Sequence, residues 1–498
     1  MFRHADLETV KAWIGDPAHG ALPLHVRVQR AIRQLILDGV FNAGTPLPAT
    51  RALAKSLAVS RDTVEASYGQ LQAEGFITRR VGSGSFVSAR AQHLPGRGVA
   101  LRKKASQEMP RLSVRGNVML QSGGVRDFLT PRPFAPGVPE TRSFPLQTWE
   151  RLQRQVLKEY GTRALLHSPP QGLAPLRQAI ADYVNLERGA CATPERVLVL
   201  TSAQQALTLC ANVLFDAGDR VFIEDPVYHG ARNAFEAAGL VCVPVPLDEH
   251  GIEVARLMHA ASTSTEPTRA VFLTPSHQFP SGTTLPLDRR LAIIEWAAKH
   301  QSWIIEDDYD SAFHYEGKPT ACVQGLDPHE RTLYIGTFTK SVFPGLRIGY
   351  MVLPPPLVAP MVVARSLLDG HSASMAQLTL ARFIEGGHLG AYIRTMRSVY
   401  AQRRDVLARL VRQHLADYVE PRVPAGGMQM PCLFVRPLSE RVAVEAARKA
   451  GIELLGLTPL HALRPSREGF LMGFAAHAPH ELEAAVKTLA KVLRALCR

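Results

Sequence analysis

The 498-residue chain has no closely spaced cysteine pair. Its six cysteines (Cys191, Cys210, Cys242, Cys322, Cys432 and Cys497) are scattered, with no CxxC among them. This argues against a thiolate zinc site and a disulfide framework, and it fits a reducing compartment. Long apolar runs are also missing. No stretch approaches the ~20 apolar residues of a membrane helix, and the best candidate, "LPPPLVAPMVVA", is broken by prolines. The opening "MFRHADLETVKAW" has no apolar core of signal-peptide length. A cytoplasmic protein that spans no membrane is expected. Acidic residues are scarce at one end: residues 1–115 carry 17 Lys and Arg against 8 Asp and Glu. The rest carries 40 against 36, so most of the net charge of +13 lies in the first quarter. Such an end either binds a polyanion or is a basic solvated surface.

What is present divides the chain into three zones without an internal repeat: a compact unit over about 20–89, a basic flexible linker over 90–131, and an α/β body over 132–498. In the first, "LHVRVQRAIRQLILDG" has helical spacing and stops at Gly39. "PATRALAKSLAVSRDTVEASYGQLQAEG" reads as helix, turn and second helix, with Ser60 as the N-cap. In a helix-turn-helix, the N-terminal end of the second helix enters the major groove. That places Arg61 and Thr63 to touch bases or phosphates, and Arg51 to touch a phosphate. "FITRRVGSGSFVS" follows as a β-hairpin wing around Gly82-Ser83-Gly84. No helix follows these glycines, so a dinucleotide-binding turn is excluded. A domain of this shape reads DNA or, alternatively, contacts protein.

The body alternates apolar runs ("RVLVLTS", "DRVFIED", "LVCVPVP", "RAVFLTP", "SWIIEDD", "RTLYIGT", "RIGYMVL") with helical patterns. Such runs predict a mostly parallel sheet covered on both faces. The last ~120 residues predict a smaller α+β domain. Within "GTFTKSVFPGLRIG", Lys340 ends an apolar strand. Lysine there either snorkels as a structural residue or is desolvated, which suits Schiff-base chemistry. "IIEDDYD" offers Asp307 where a buried strand runs out, with Tyr309 close by. "LTSAQQALTL" reads as strand, turn and helix start. There the N–H groups of Ala203 and Gln204 and the Ser202 hydroxyl can hold a phosphate. Thr337 and Arg347 can complete that cradle, and Tyr228 in "EDPVYHG" can stack on a ring. Amine, carboxylate, stacking ring and phosphate cradle are together what pyridoxal 5′-phosphate (PLP) requires.

The pieces "LPATRALA", "VSRDTV", "LQAEGFI" and "VGSGSFV" resemble the winged helix-turn-helix of the GntR regulators. "TPSHQFPSGTTLPLDRR", "IIEDDYDSAFHYEGKP" and "YIGTFTKSVFPGLRIGY" resemble the MocR/GabR subfamily, in which that domain is fused to a fold-type I aminotransferase-like domain. The resemblance spans roughly residues 22–475. It implies that Lys340 is the lysine forming the PLP aldimine and that Asp307 holds the pyridine nitrogen. It implies Tyr309 as the nearby tyrosine and Tyr228 as the stacking ring. Ser202, Ala203, Gln204, Thr337 and Arg347 fall on the phosphate-binding positions, and His277 and Gln278 lie in a loop that lines the pocket. One departure stands out. Aminotransferases of this fold grip the substrate carboxylate with an arginine in the final strand, whereas "GFLMGFAAH" places Leu471 or a neighbour there. Arg464 or Arg467 either substitutes or is a surface-loop arginine.

The resemblance implies a PLP-dependent regulator of transcription, acting as a homodimer on double-stranded DNA. It would sense an amine or amino-acid-type effector, or PLP itself. A flexible linker of ~40 residues spans roughly 35 Å, about the spacing of half-sites one DNA turn apart. The alternatives are a catalytic aminotransferase with an accessory DNA-binding domain, and a PLP-binding sensor whose winged domain does not touch DNA. No metal is expected.

Overall fold

A computed structural model describes residues 4–15, 22–80, 83–93, 111–125, 131–317 and 320–497. The chain forms two compact units, 1–111 and 112–498. The first is built on helices Leu24–Leu37, Thr50–Leu57 and Arg61–Ala73, followed by strands β1 (Ile77–Arg80) and β2 (Gly84–Val87), which pair antiparallel. Val28, Ile32, Leu35, Leu53, Val64, Tyr68 and Leu71 close one core with Ile77 and Val87 from the strands. These are the helical-spacing residues of the sequence, so periodicity alone assembles the three helices and the wing. A further helix, His4–Gly15, adds Val10 to this core.

The second unit carries an eight-stranded sheet. In chain order its strands are β3 (Val197–Leu200), β4 (Arg220–Asp225), β5 (Val241–Asp248), β6 (Gly251–Ile252), β7 (Thr268–Leu273), β8 (Trp303–Asp308), β9 (Thr332–Thr337) and β10 (Gly349–Val352). Their spatial order is β3-β10-β9-β8-β7-β4-β5-β6. The central pairs β5–β4, β4–β7, β7–β8 and β8–β9 are parallel, while β10 runs antiparallel between β3 and β9. Each apolar run of the sequence is one of these strands. One face packs Leu207, Ala231, Phe235 and Met361 against Ile305, Ile335 and Phe272. The other packs Ile293, Trp296 and Leu257 against Ile304 and Val271. A second sheet of four antiparallel strands comprises β11 (Val419–Pro421), β12 (Gln429–Phe434), β13 (Leu455–Gly456) and β14 (Gly469–Gly473), in the order β11-β12-β14-β13.

The 90–131 segment, expected as a linker, differs from that expectation over 114–122. Residues Val114–Ser122 form a helix that belongs to the second unit and packs on helix His229–Ala238. The Ser113 hydroxyl accepts from the Gly116 N–H and starts it; Gly123, with φ +70°, stops it. Both are ordinary boundary signals, but they were masked in the sequence by the surrounding run of polar and basic residues.

Candidate functional site

Strands β3, β4, β8 and β9 all end at the same edge of the sheet, because β3 and β9 each run antiparallel to β10 and the rest are parallel. Open α/β sheets collect their ligands at such an edge. A cavity of about 940 Å³ lies there, and Ser202, Ala203, Gln204, Tyr228, Asp307, Tyr309, Thr337, Lys340 and Arg347 all border it. These are the nine residues named from the sequence for PLP, and they come from four strand ends spread over 146 positions.

Strand alternation separates the acidic residues of "IIEDD". Glu306 and Asp308 face away from the cavity. Glu306 accepts the Val323 and Gln324 N–H groups, at 2.9 Å each. Asp308 pairs with Arg188 at 2.7 Å and accepts from Tyr334 at 2.6 Å. Asp307 points the other way into the cavity, and its Oδ1 is buried with no hydrogen-bond partner. Burial, with smaller contributions from Asp308 and Asp310, pushes its carboxyl up to about 7. A buried acceptor without a donor is costly. A protonated ring nitrogen would satisfy it.

Lys340 lies three residues past β9, and its Nζ donates to the Gly137 carbonyl at 2.6 Å. Gly137 has φ +68°, and a Cβ there would stand 3.1 Å from that Nζ, so the close approach requires glycine. Ser202 caps helix Ala203–Val213, its hydroxyl accepting from the Gln205 N–H at 3.2 Å. The first helical N–H groups, of Ala203 and Gln204, point off the helix end, where an anion is favoured. The Thr337 hydroxyl donates to the Thr339 hydroxyl at 2.9 Å. Arg347 is exposed at the cavity edge and makes no ion pair among the described residues. Tyr228 meets Phe279 edge-on at 5.6 Å, and Phe279 meets Tyr309 at 6.1 Å. A Cβ on Gly230 would come within 2.5 Å of both the Tyr228 ring and Gln204 Oε1. Glycine thus lets helix His229–Ala238 fold against the ring.

These groups fit PLP: an orphaned carboxylate oxygen, an amine, an aromatic ring and helix-end N–H donors share one cavity. Sequence reasoning missed Gly137, Arg232, Phe279, Thr339, Gln429 and Arg448, which also border it. Gly137, Arg232, Gln429 and Arg448 come from segments that only the packing brings near, whereas Thr339 and Phe279 adjoin residues already named. The two loop residues named earlier, His277 and Gln278, do not border the cavity: His277 is buried against Asp310 at 2.8 Å and Gln278 donates to the Pro226 carbonyl at 2.8 Å, and their neighbour Phe279 is at the cavity instead. Arg464 does not border it, and Arg467 is engaged with Glu420 at 3.1 Å.

In the first unit, Ser60 caps helix Arg61–Ala73, accepting from the Thr63 N–H at 3.1 Å, and its hydroxyl bonds the Thr63 hydroxyl at 2.7 Å. Arg51 and Arg61 are exposed at the starts of consecutive helices. On the wing, the Arg79 guanidinium lies over Tyr68 and pairs with Glu65 at 3.1 Å, while Arg80 lies over Phe86. Gly82 lies outside the described residues.

Comparison with known proteins follows the same division. The family described as "Bacterial regulatory proteins, gntR family" matches residues 24–87, and "Aminotransferase class I and II" matches 140–489. The chain is 35% identical over 477 residues to the probable rhizopine catabolism regulatory protein MocR of Rhizobium meliloti, covering 95% of this chain and 94% of that protein. It is 30% identical to the pyridoxine biosynthesis regulator PdxR of Corynebacterium glutamicum, covering 92% and 93%. Among solved structures, the kynurenine aminotransferase of Pyrococcus horikoshii, crystallised in complex with PMP, superposes with a TM-score of 0.69 at 25% identity, covering 79% of this chain and 97% of that one. With both family matches in one chain and a regulator aligned along nearly its whole length, the protein belongs to the MocR/GabR subfamily of GntR transcriptional regulators.

Proposed function

We propose that this protein regulates transcription through the PLP-holding cavity of its second unit. The observation that carries the reading is the unpartnered Asp307 Oδ1 in the wall that also presents Lys340. PLP bound there supplies an aldehyde that condenses reversibly with primary amines. Asp307 would hold the ring nitrogen, Tyr228 the ring face and Tyr309 the ring hydroxyl. Ser202, the Ala203 and Gln204 N–H groups, Thr337 and Arg347 would hold the phosphate. The Lys340 amine, set against the Gly137 carbonyl, would be the amine that holds the aldehyde and with which an effector amine would compete. For such a ligand to act on DNA binding it must favour one arrangement of the protein over another.

Arg51, Ser60, Arg61, Thr63 and the wing around Gly82 would contact DNA, Ser60 and Thr63 mainly by fixing the helix end. A homodimer is the assembly supported by the surface of the second unit. Leu165, Leu166 and Leu367 are 71%, 64% and 82% exposed. Their segments adjoin, since the Ser374 hydroxyl donates to the Leu166 carbonyl at 3.0 Å. Exposed apolar groups gathered in this way mark association surfaces.

The test is spectroscopic and electrophoretic. PLP-loaded protein should absorb in the visible, and amines should change both that absorbance and the affinity for the DNA upstream of its own gene. A protein that stays colourless with added PLP would sink the reading. The aminotransferase alternative shares its fold with solved aminotransferases, but the regulators aligned along nearly the whole chain do not favour it. It predicts many turnovers with an amino donor and a keto acid, where the regulator predicts at most a single half-reaction.

A further inference from the structure

We infer that Glu65, on helix Arg61–Ala73, is a specificity-determining residue whose carboxylate accepts from the N4 amino group of one cytosine in the major groove. The inference rests on the placement of that helix's N-terminal end in DNA and goes beyond it by assigning a base to an acidic residue there.

Arg61 and Glu65 are four positions apart and so share one side of the helix. Three elements of the first unit meet at the Glu65 carboxylate. The wing supplies Arg79, whose Nη1 pairs with Glu65 Oε2 at 3.1 Å and whose Nη2 donates to the Glu65 backbone carbonyl at 3.4 Å. The same guanidinium lies 5.9 Å from the centre of the Tyr68 ring. Helix Thr50–Leu57 supplies the Thr50 side chain, which bonds the carboxylate, and Arg61 adds its charge from the same helix. Thr50 first, then Arg79 and Arg61, hold this carboxyl below the ordinary range. The Arg79 pair is about one-third exposed on both sides, and such pairs contribute little to stability. The fold therefore gives no strong reason for a negative charge at this point.

A carboxylate on this face opposes every encounter that uses phosphates alone. Residues 1–115 carry 17 basic against 8 acidic residues, and attraction to the phosphate backbone supplies non-specific binding. Glu65 weakens that attraction and occupies Arg79. One kind of partner offsets the loss. A carboxylate has about four acceptor sites, so it can keep Arg79 and Thr50 and still accept from a base. In the major groove guanine presents acceptors, and thymine an acceptor and a methyl group, and both repel it. Adenine sets an acceptor beside its amino group and suits Asn or Gln, whereas the lone amino group of cytosine suits Glu or Asp. Repulsion of the wrong bases is thereby added to attraction for the right one. Asp62, the other acidic residue at this end, lies in the first turn, where a carboxylate favours the helix dipole. Glu65, a turn later, has no such role.

The test uses the full-length, PLP-loaded protein and a pool of randomised duplex DNA, from which wild type and Glu65→Gln each select their sites. Wild-type sites should share a C·G pair whose replacement weakens binding by about five- to hundredfold, the range of one good base contact. Glu65→Gln should lose cytosine at that position, with adenine gaining there, and keep the other preferences. A residue that only ties the wing to the helix would instead weaken binding to every sequence alike. Identical selected sites, or a lost preference for a base other than cytosine, overturns the inference and leaves the helix placement intact. If Glu65→Gln does not fold, the wild type decides. N4-methylcytosine replaces the groove-facing hydrogen of the amino group. Placed at each selected cytosine in turn, it should weaken binding at one of them, and no loss at any of them overturns the inference. A wild type that selects no sequence overturns the helix placement as well.

Discussion

Asp307 and Asp308 are consecutive carboxylates whose surroundings shift their proton affinities in opposite directions. Asp308 is held below the ordinary carboxylate range: burial opposes ionisation, but Arg188 and hydrogen bonds from Ser311 and Tyr334 outweigh it. Asp307 lacks such a partner and rises to about 7. A carboxyl that holds its proton more tightly folded than unfolded lets the native state bind more protons. Stability from this group is then lost as pH rises from about 4, its unfolded value, through about 7. Glu224 and Glu306 shift the same way, so the comparison must be between variants. Cofactor-free Asp307→Asn should resist urea better than cofactor-free wild type at pH 8, with the gap closing toward pH 4. Added PLP should stabilise the wild type more than the variant. Equal urea midpoints at pH 8 would contradict this account. Lys340→Ala should fold yet lose borohydride-fixable colour; colour still fixed to the chain would move the amine elsewhere. Asp307 was legible in the sequence because a buried strand visibly runs out there. Arg188, which settles the fate of Asp308, was not, because it comes from a helix 120 positions earlier. Gly137 and Arg232 were illegible for the same reason: nothing local distinguishes them.

At the scale of elements, caps and periodicity carried most of the information. The helix-turn-helix and wing follow from spacing, and the Ser60 cap is visible as a serine ahead of an apolar repeat. Ser60→Ala should cost about 0.5–2 kcal/mol by thermal or chemical denaturation of the first unit. Arg61→Ala should weaken DNA binding and reduce the slope of log affinity against log salt by about one if Arg61 meets a phosphate. Affinity indifferent to salt would instead favour a winged domain that does not touch DNA. The segment around Glu140 was not anticipated at all. Glu140 is buried, and Arg403 at 2.8 Å and Arg142 at 2.9 Å pair with it. Burial works against its charge, yet the two arginines bring its carboxyl down to about 2. This contribution to stability is therefore complete above about 4.5 and lost as pH falls toward 2. Glu140→Gln should destabilise the second unit by about 3–5 kcal/mol near neutral pH, the usual result of leaving a buried arginine unpaired. A loss below 1 kcal/mol would mean that water compensates. Partners 263 positions apart leave no local signature.

For the molecule as a whole, composition announced two functions: a basic end and a nearly neutral body. The strand order and the small second sheet required the three-dimensional pairing, since runs alone do not state which neighbours they take. If the apolar surface around Leu165 and Leu367 is where two copies meet, Leu367→Glu should shift sedimentation toward the monomer and weaken binding to a two-half-site DNA more than to a single half-site. An unchanged dimer would place the interface elsewhere. The stretch Ser122–Val125, on the rim of the cavity, and Gly137, which receives the Lys340 amine, both lie within some 25 residues of the point where the second unit begins. The point where the second unit begins is thus sewn into the very hem of the ligand chamber. Residues inserted upstream of 112 leave the chamber alone. Residues inserted between 123 and 137 would displace the cavity rim and the carbonyl that meets the Lys340 amine, so a change of length is tolerated before helix Val114–Ser122 and alters ligand response after it.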